Sequence, residues 1–181
     1  AAHGGRLVSA PVFGRPAAAA AGLLWVALSG PEDARIRAHP VLEAVSQSIH
    51  LFGDDPATAP KVKIAGNFVI ASAIEAMSEA FALLDRNGAD AAAFHEMMSD
   101  TIFGSVIHQN YGRIILDQAF DPPGFRLTLG GKDMGLAQSM AQAAGLTLPF
   151  ADILRDRFRA AEAAGKGDLD WNAISTQVLG S

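Results

Sequence analysis

The sequence predicts a mainly α-helical chain in which a short β-rich segment leads into an all-helical domain. Up to residue 59 the apolar runs are short and bounded by Gly and Pro. From Pro60 onward the apolar positions recur at helical spacing, and the later segments open on Asp or Pro and close on Gly.

The first segment holds three strand-like runs, Leu7–Phe13, Leu23–Leu28 and Ser48–Phe52. Between the last two, residues 31–46 read as a helix with Glu32 and Asp33 in its first turn and an interruption near His39-Pro40. The second segment opens on a long helix over 61–87, with Pro60 at its start and Gly88 at its end. Such a helix spans roughly 40 Å. Further helices are expected over 90–98, 105–118, 126–144, 149–164 and 170–178. Asp90 and Asp170 serve as N-caps, Pro149 as a first-turn residue, and Gly145 and Gly165 as stops.

The run APVFGRPAAAAAGLLWVALSG has the outline of a secretory signal, but Pro16 and Gly22 cut its apolar part, so it reads as two strands around an alanine run. AAHGG at the start reads as the tail of a helix ended by Gly4 and Gly5, as if the chain were entered partway. No uninterrupted apolar run approaches the length of a membrane span.

A net charge of −5 with scattered basic residues argues against a nucleic-acid partner. The absence of Cys excludes disulfides, thiolate metal sites and cysteine nucleophiles, and fits a cytoplasmic location. Half of the residues are hydrophobic, enough for a packed core.

Two motifs are decoys. GKGD at Gly165–Asp168 lacks the third Gly of a dinucleotide loop and follows a helix instead of a strand. HEMMS at His95–Ser99 has Ser where a zinc helix needs its second His, so no metal is expected. No G-x-S-x-G elbow of a hydrolase occurs.

Two others bear on chemistry. In KIAGN, Lys63 and Asn67 stand one helical turn apart on one face, where an ammonium and an amide reach the same carbonyl or hydroxyl oxygen. Alone, this pair reads as well as an exposed Lys beside a helix Asn. In GGKDMGLA, Lys132 and Asp133 interrupt an apolar helix. Side chains there point about 100° apart, so one of the two approaches the apolar face; a solvated ion pair is the plainer alternative.

Taken together the segments resemble the β-hydroxyacid dehydrogenase family, which includes 3-hydroxyisobutyrate dehydrogenase and 6-phosphogluconate dehydrogenase. APVFGRP is similar to its substrate-binding strand and turn, KVKIAGN to its K-x-x-x-N helix start, and EAFALLDRNGAD to the end of that helix. FRLTLGGKDMGLA matches its K-D motif and GKGDLDWNAI its closing segment. The resemblance implies that residues 1–59 are the last strands of a truncated Rossmann domain, and that residues 60–181 are a helical substrate and dimerisation domain with a linking helix over 61–87. It implies Lys63 as catalytic acid/base, Asn67 and the Phe13-Gly14-Arg15 turn as substrate contacts, and Lys132 and Asp133 near the cofactor, NAD or NADP. Many members carry Ser-Gly-Gly at the turn. Phe13 removes that hydroxyl, and Arg15 either replaces the contact with a charged one or marks a bulkier, less acidic substrate.

The expected activity is interconversion of a β-hydroxy acid, or similar small alcohol, with its carbonyl, by a homodimer or larger homo-oligomer with no membrane partner. A polypeptide of these 181 residues is expected to be inactive alone, because the phosphate-binding loop lies upstream. The alternatives are an imine-reductase-like enzyme, disfavoured by Lys63, and a non-catalytic helical dimerisation module.

Overall fold

A computed structural model describes residues 5–180. The helix tail expected at the start rests on residues 1–4, outside the described residues. The chain divides into two compact units, one ending at Gly66 and one beginning at Asn67.

The first unit is built on a three-stranded sheet. Strand β1 (Val12–Phe13) pairs antiparallel with β2 (Leu24–Leu28), which pairs in parallel with β3 (Ser46–Leu51). Helix α1 (Pro16–Ala20) joins β1 to β2, and α2 (Glu32–Glu43) makes the crossover from β2 to β3. The central strand carries the core: Leu24, Val26, Ala27 and Leu28 are buried. A parallel pair needs such a crossover, and burial on both sides accounts for a strand of unbroken apolar residues.

Two expectations, for β1 and for α2, need correction here. Strand β1 is shorter than the apolar run 7–13, because Pro11 has no N–H to give the ladder; only an isolated Ser9–Ser29 pairing continues it. The alanine run is itself a short helix, opened by Pro16. Helix α2 runs through Pro40 without stopping and ends at Glu43, so Ser46 belongs to β3.

Helix α3 (Thr58–Arg86) starts three residues before the expected point. Its first turn holds Pro60, and the N–H of Ala59 donates to the buried Ser29 Oγ at 3.0 Å, satisfying a donor that a helix start leaves open. Averaged over an 18-residue window, α3 is the one helix among the described residues long and apolar enough to cross a membrane, with 39% of that window buried inside the fold. Polar residues punctuate the helix, so no uninterrupted apolar run of that length occurs in it. Ala71, Ile74 and Phe81 of α3 are core residues of the second unit, as in an ordinary interior helix.

The second unit adds α4 (Ala91–Asp100), α5 (Val106–Leu116), α6 (Leu127–Ala143), α7 (Pro149–Ala163), a 3-10 turn (Trp171–Ser175) and α8 (Thr176–Leu179). The last two replace the single helix expected over 170–178. Asp90 caps α4, accepting from the N–H groups of Ala92 and Ala93. Asp170 does more than cap: it accepts from the N–H of Gly124, Phe125 and Asn172 and from Asn172 Nδ2, tying the turn before α6 to the C-terminal segment. Phe81, Ile115, Leu127, Met134, Leu154, Phe158 and Ile174 fill the core. A second acidic side chain is buried with it. Glu75 is 1% exposed and receives Arg157 Nε at 2.5 Å, while Arg157 Nη2 reaches Glu79 at 3.3 Å. Burial raises the Glu75 pKa above the ordinary carboxylate value, and the hydrogen bond and charge of Arg157 pull against it.

Candidate functional site

In the first unit, Phe13 ends β1 opposite Trp25. Gly14 follows with φ +138°, where a Cβ would come within 2.6 Å of Leu24 Cδ2, so the turn requires glycine at this position. Arg15 caps α1 in extended backbone and is half-buried. The strand thus ends in a sharp turn that presents Phe13, a bare backbone and a guanidinium in succession.

Lys63, on the second turn of α3, places Nζ 4.2 Å from the centroid of the Phe13 ring, well inside cation–π range. A Cβ at Gly66 would overlap ring atoms Cε1 and Cζ of Phe13, so the ring edge occupies the space that Gly66 leaves on the helix. Phe13, Lys63 and Gly66 form one contact set.

In the second unit, Asn67 is 3% exposed and donates Nδ2–H to Asp133 Oδ2 of α6 at 2.6 Å. Of the two charges on α6, Asp133 is the half-buried one and Lys132 is exposed. Asp133 therefore acts first on Asn67: its carboxylate fixes which way the amide points, leaving the amide's Oδ1 and second N–H for other partners.

Lys63 and Asn67 lie one turn apart on the single helix α3. Sequence reasoning missed Gly66 and the Asn67–Asp133 bond. The first had a signal, since an isolated Gly inside a helical pattern marks close approach. The second joins residues far apart in the chain.

The decoys resolve structurally. His95 is buried and hydrogen-bonds through Nε2 with the carbonyl of His108 and with Ser99 Oγ, linking α4 to α5. Gly165 ends α7 with φ +78°. Among the described residues no group of three or more His, Cys, Asp or Glu is placed to hold a metal ion. Open clefts of about 530 Å³ beside α6 and α7, and about 470 Å³ between α2 and β3, hold none of the candidate residues.

The chain is similar to known proteins over most of its length. Residues 57–178 match the family model described as the NAD-binding domain of NADP-dependent 3-hydroxyisobutyrate dehydrogenase. The chain is 40% identical to an uncharacterized oxidoreductase of Bacillus subtilis, over 92% of this chain and 58% of that protein. It is 30% identical to the 2-hydroxy-3-oxopropionate reductase of Escherichia coli, over 94% and 58% respectively. The crystal structure of 3-hydroxyisobutyrate dehydrogenase from Salmonella typhimurium superposes with a TM-score of 0.86 at 30% identity, covering 95% of this chain and 60% of that one. The chain thus spans a little over half the length of each. Its architecture is that of a helical domain preceded by the last strands of a Rossmann domain.

Proposed function

The chain belongs to the 3-hydroxyisobutyrate dehydrogenase family, and from that premise we propose that the protein is an NAD(P)-dependent oxidoreductase interconverting a β-hydroxy acid, or a similar small alcohol, with its carbonyl. The observation that carries the reading is the K-x-x-x-N pair on α3. Lys63 is held against an aromatic face, and Asn67 is buried and oriented by a carboxylate.

A bound dinucleotide would supply the hydride chemistry. The rest falls to this chain. The Lys63 ammonium donates a proton to the oxygen during reduction and takes it back during oxidation. The Asn67 amide, fixed by Asp133, hydrogen-bonds the same substrate and holds its orientation. The turn Phe13-Gly14-Arg15 receives the polar end of the substrate, with Arg15 supplying a charge-assisted contact to an acid group. Lys132, exposed on α6, and the half-buried Asp133 beside it are assigned to the cofactor side on the resemblance of the GGKDMGLA segment to the family's K-D motif.

A cysteine-free chain in a family of metabolic oxidoreductases supports a cytoplasmic location. The test is to assay the full-length protein, following reduced nicotinamide absorbance with a panel of small β-hydroxy acids and their carbonyl forms. A Lys63→Ala variant is expected to lose about 10²–10⁴ of the rate, the usual contribution of a general acid. A folded Lys63→Ala variant that keeps its rate would overturn the reading.

A further inference from the structure

The Phe13 ring meets Lys63 through an arrangement that the substrate-contact role alone does not explain. Its backbone is fixed by pairing with Trp25, and Gly14 turns the chain away immediately afterwards, so the side chain leaves a rigid strand end. Its edge enters the gap at Gly66, and its face lies under Lys63 Nζ at 4.2 Å. Residues 63 and 66 are three apart on α3, so the ammonium and the gap are neighbours on one helix face. The ring is therefore held from two sides, with its electron-rich face left for the cation.

We infer that Phe13 is a positioning residue for Lys63: its ring, seated by the gap at Gly66, fixes the ammonium where proton transfer takes place. This rests on the reading of Lys63 as the acid/base group. A hydroxyl-bearing side chain at position 13 would act on the substrate, whereas an aromatic one acts on the catalytic cation.

Two readouts on the protein test this. With ¹³C-labelled lysine, the Lys63 ε-methylene, assigned through Lys63→Arg, is expected to show an upfield ring-current shift. That shift is expected to vanish in Phe13→Leu and to shrink in Gly66→Ala, where Phe13 is still present. In steady-state kinetics, Phe13→Leu and Gly66→Ala each lower kcat roughly tenfold, the size of effect a cation–π contact supports, and Gly66→Ala, which keeps the Phe13-Gly14-Arg15 turn, does so with KM nearly unchanged. Gly66→Ala costs little further when combined with Phe13→Leu, because no ring is left to displace.

An unshifted Lys63 signal in the wild-type protein, or additive losses in the double variant, would overturn the inference. The spectrum is read without turnover. A wild-type protein with the shifted signal but no activity on any hydroxy acid would therefore overturn the functional reading and the positioning role with it, while leaving the contact itself in place.

Discussion

Asn67 Nδ2 and Asp133 Oδ2 stand 2.6 Å apart, joining α3 to α6 through an amide that is almost wholly buried. Removing the carboxylate leaves a donor in the interior without its acceptor. Asp133→Ala is therefore expected to lower stability by about 1–3 kcal/mol in urea titration. Asp133→Asn, which offers a neutral acceptor of the same shape, should recover most of it. Both variants should slow turnover of the full-length enzyme, because the amide loses the charge that orients it.

A pH dependence follows from Glu75. Burial is the main cause of its raised pKa, and the Arg157 interaction opposes it without cancelling it. The folded state thus holds the proton more tightly than the unfolded chain does. The stability contributed by the protonated group is full below the ordinary value of 4.5 and is lost as pH rises through the higher folded value. Thermal midpoints of wild type and Glu75→Gln, compared from acid to neutral pH, should show wild type losing ground to the variant as pH rises. Arg157→Met, which strands the buried carboxylate at neutral pH, should cost about 3 kcal/mol.

Asp170 gathers three backbone N–H groups and one side-chain amide around a carboxylate that is 1% exposed. Asp170→Ala should be among the most damaging single changes in the second unit, costing at least about 3 kcal/mol, since several donors lose their acceptor together. Loss of near-ultraviolet dichroism from Trp171, which packs against Phe125 at 4.9 Å between ring centroids, would report it directly.

Proline 40 lies inside α2, where its ring removes a backbone donor and crowds the preceding turn. Pro40→Ala should raise the thermal midpoint, gaining up to about 3 kcal/mol. An unchanged or lower midpoint would show that the ring's packing outweighs the helix defect.

On α3, Val69, Ala76 and Leu83 recur every seven residues and are all exposed; Val69 and Leu83 are 63% and 65% exposed. A seven-residue apolar repeat on a long helix suits association with a second copy. Sedimentation velocity of the full-length protein is expected to show a homo-oligomer, and Val69→Glu with Leu83→Glu should convert it to monomer.

Local chemistry made much of this legible in advance. Pro60 and Gly88 bracket α3 to within three residues, Asp90 and Asp170 cap where their side chains allow, and the spacing of Lys63 and Asn67 survives because one helix carries both. Where neighbours decide, the reading failed. Pro11 shortened β1 because ladder pairing, not apolar content, sets a strand's length. Pro40 did not stop α2, which continues past it to Glu43. The hydrogen bond of Asp133 to Asn67 was not legible, because the two residues stand far apart in the chain. The Gly of KIAGN gave a signal, but what approaches it comes from a strand end some fifty residues earlier in the chain.

The fit of the Phe13 ring into the space at Gly66 also constrains how this sequence can change over generations. While the ring is present, any mutation that gives position 66 a side chain meets immediate opposition. Once a smaller residue replaces Phe13, the same mutation passes unopposed, and a return to phenylalanine is then blocked. The two positions form a one-way gate: lineages that pass through it do so in a fixed order, and a survey of related sequences should find an aromatic residue at the first position almost only where glycine stands at the second.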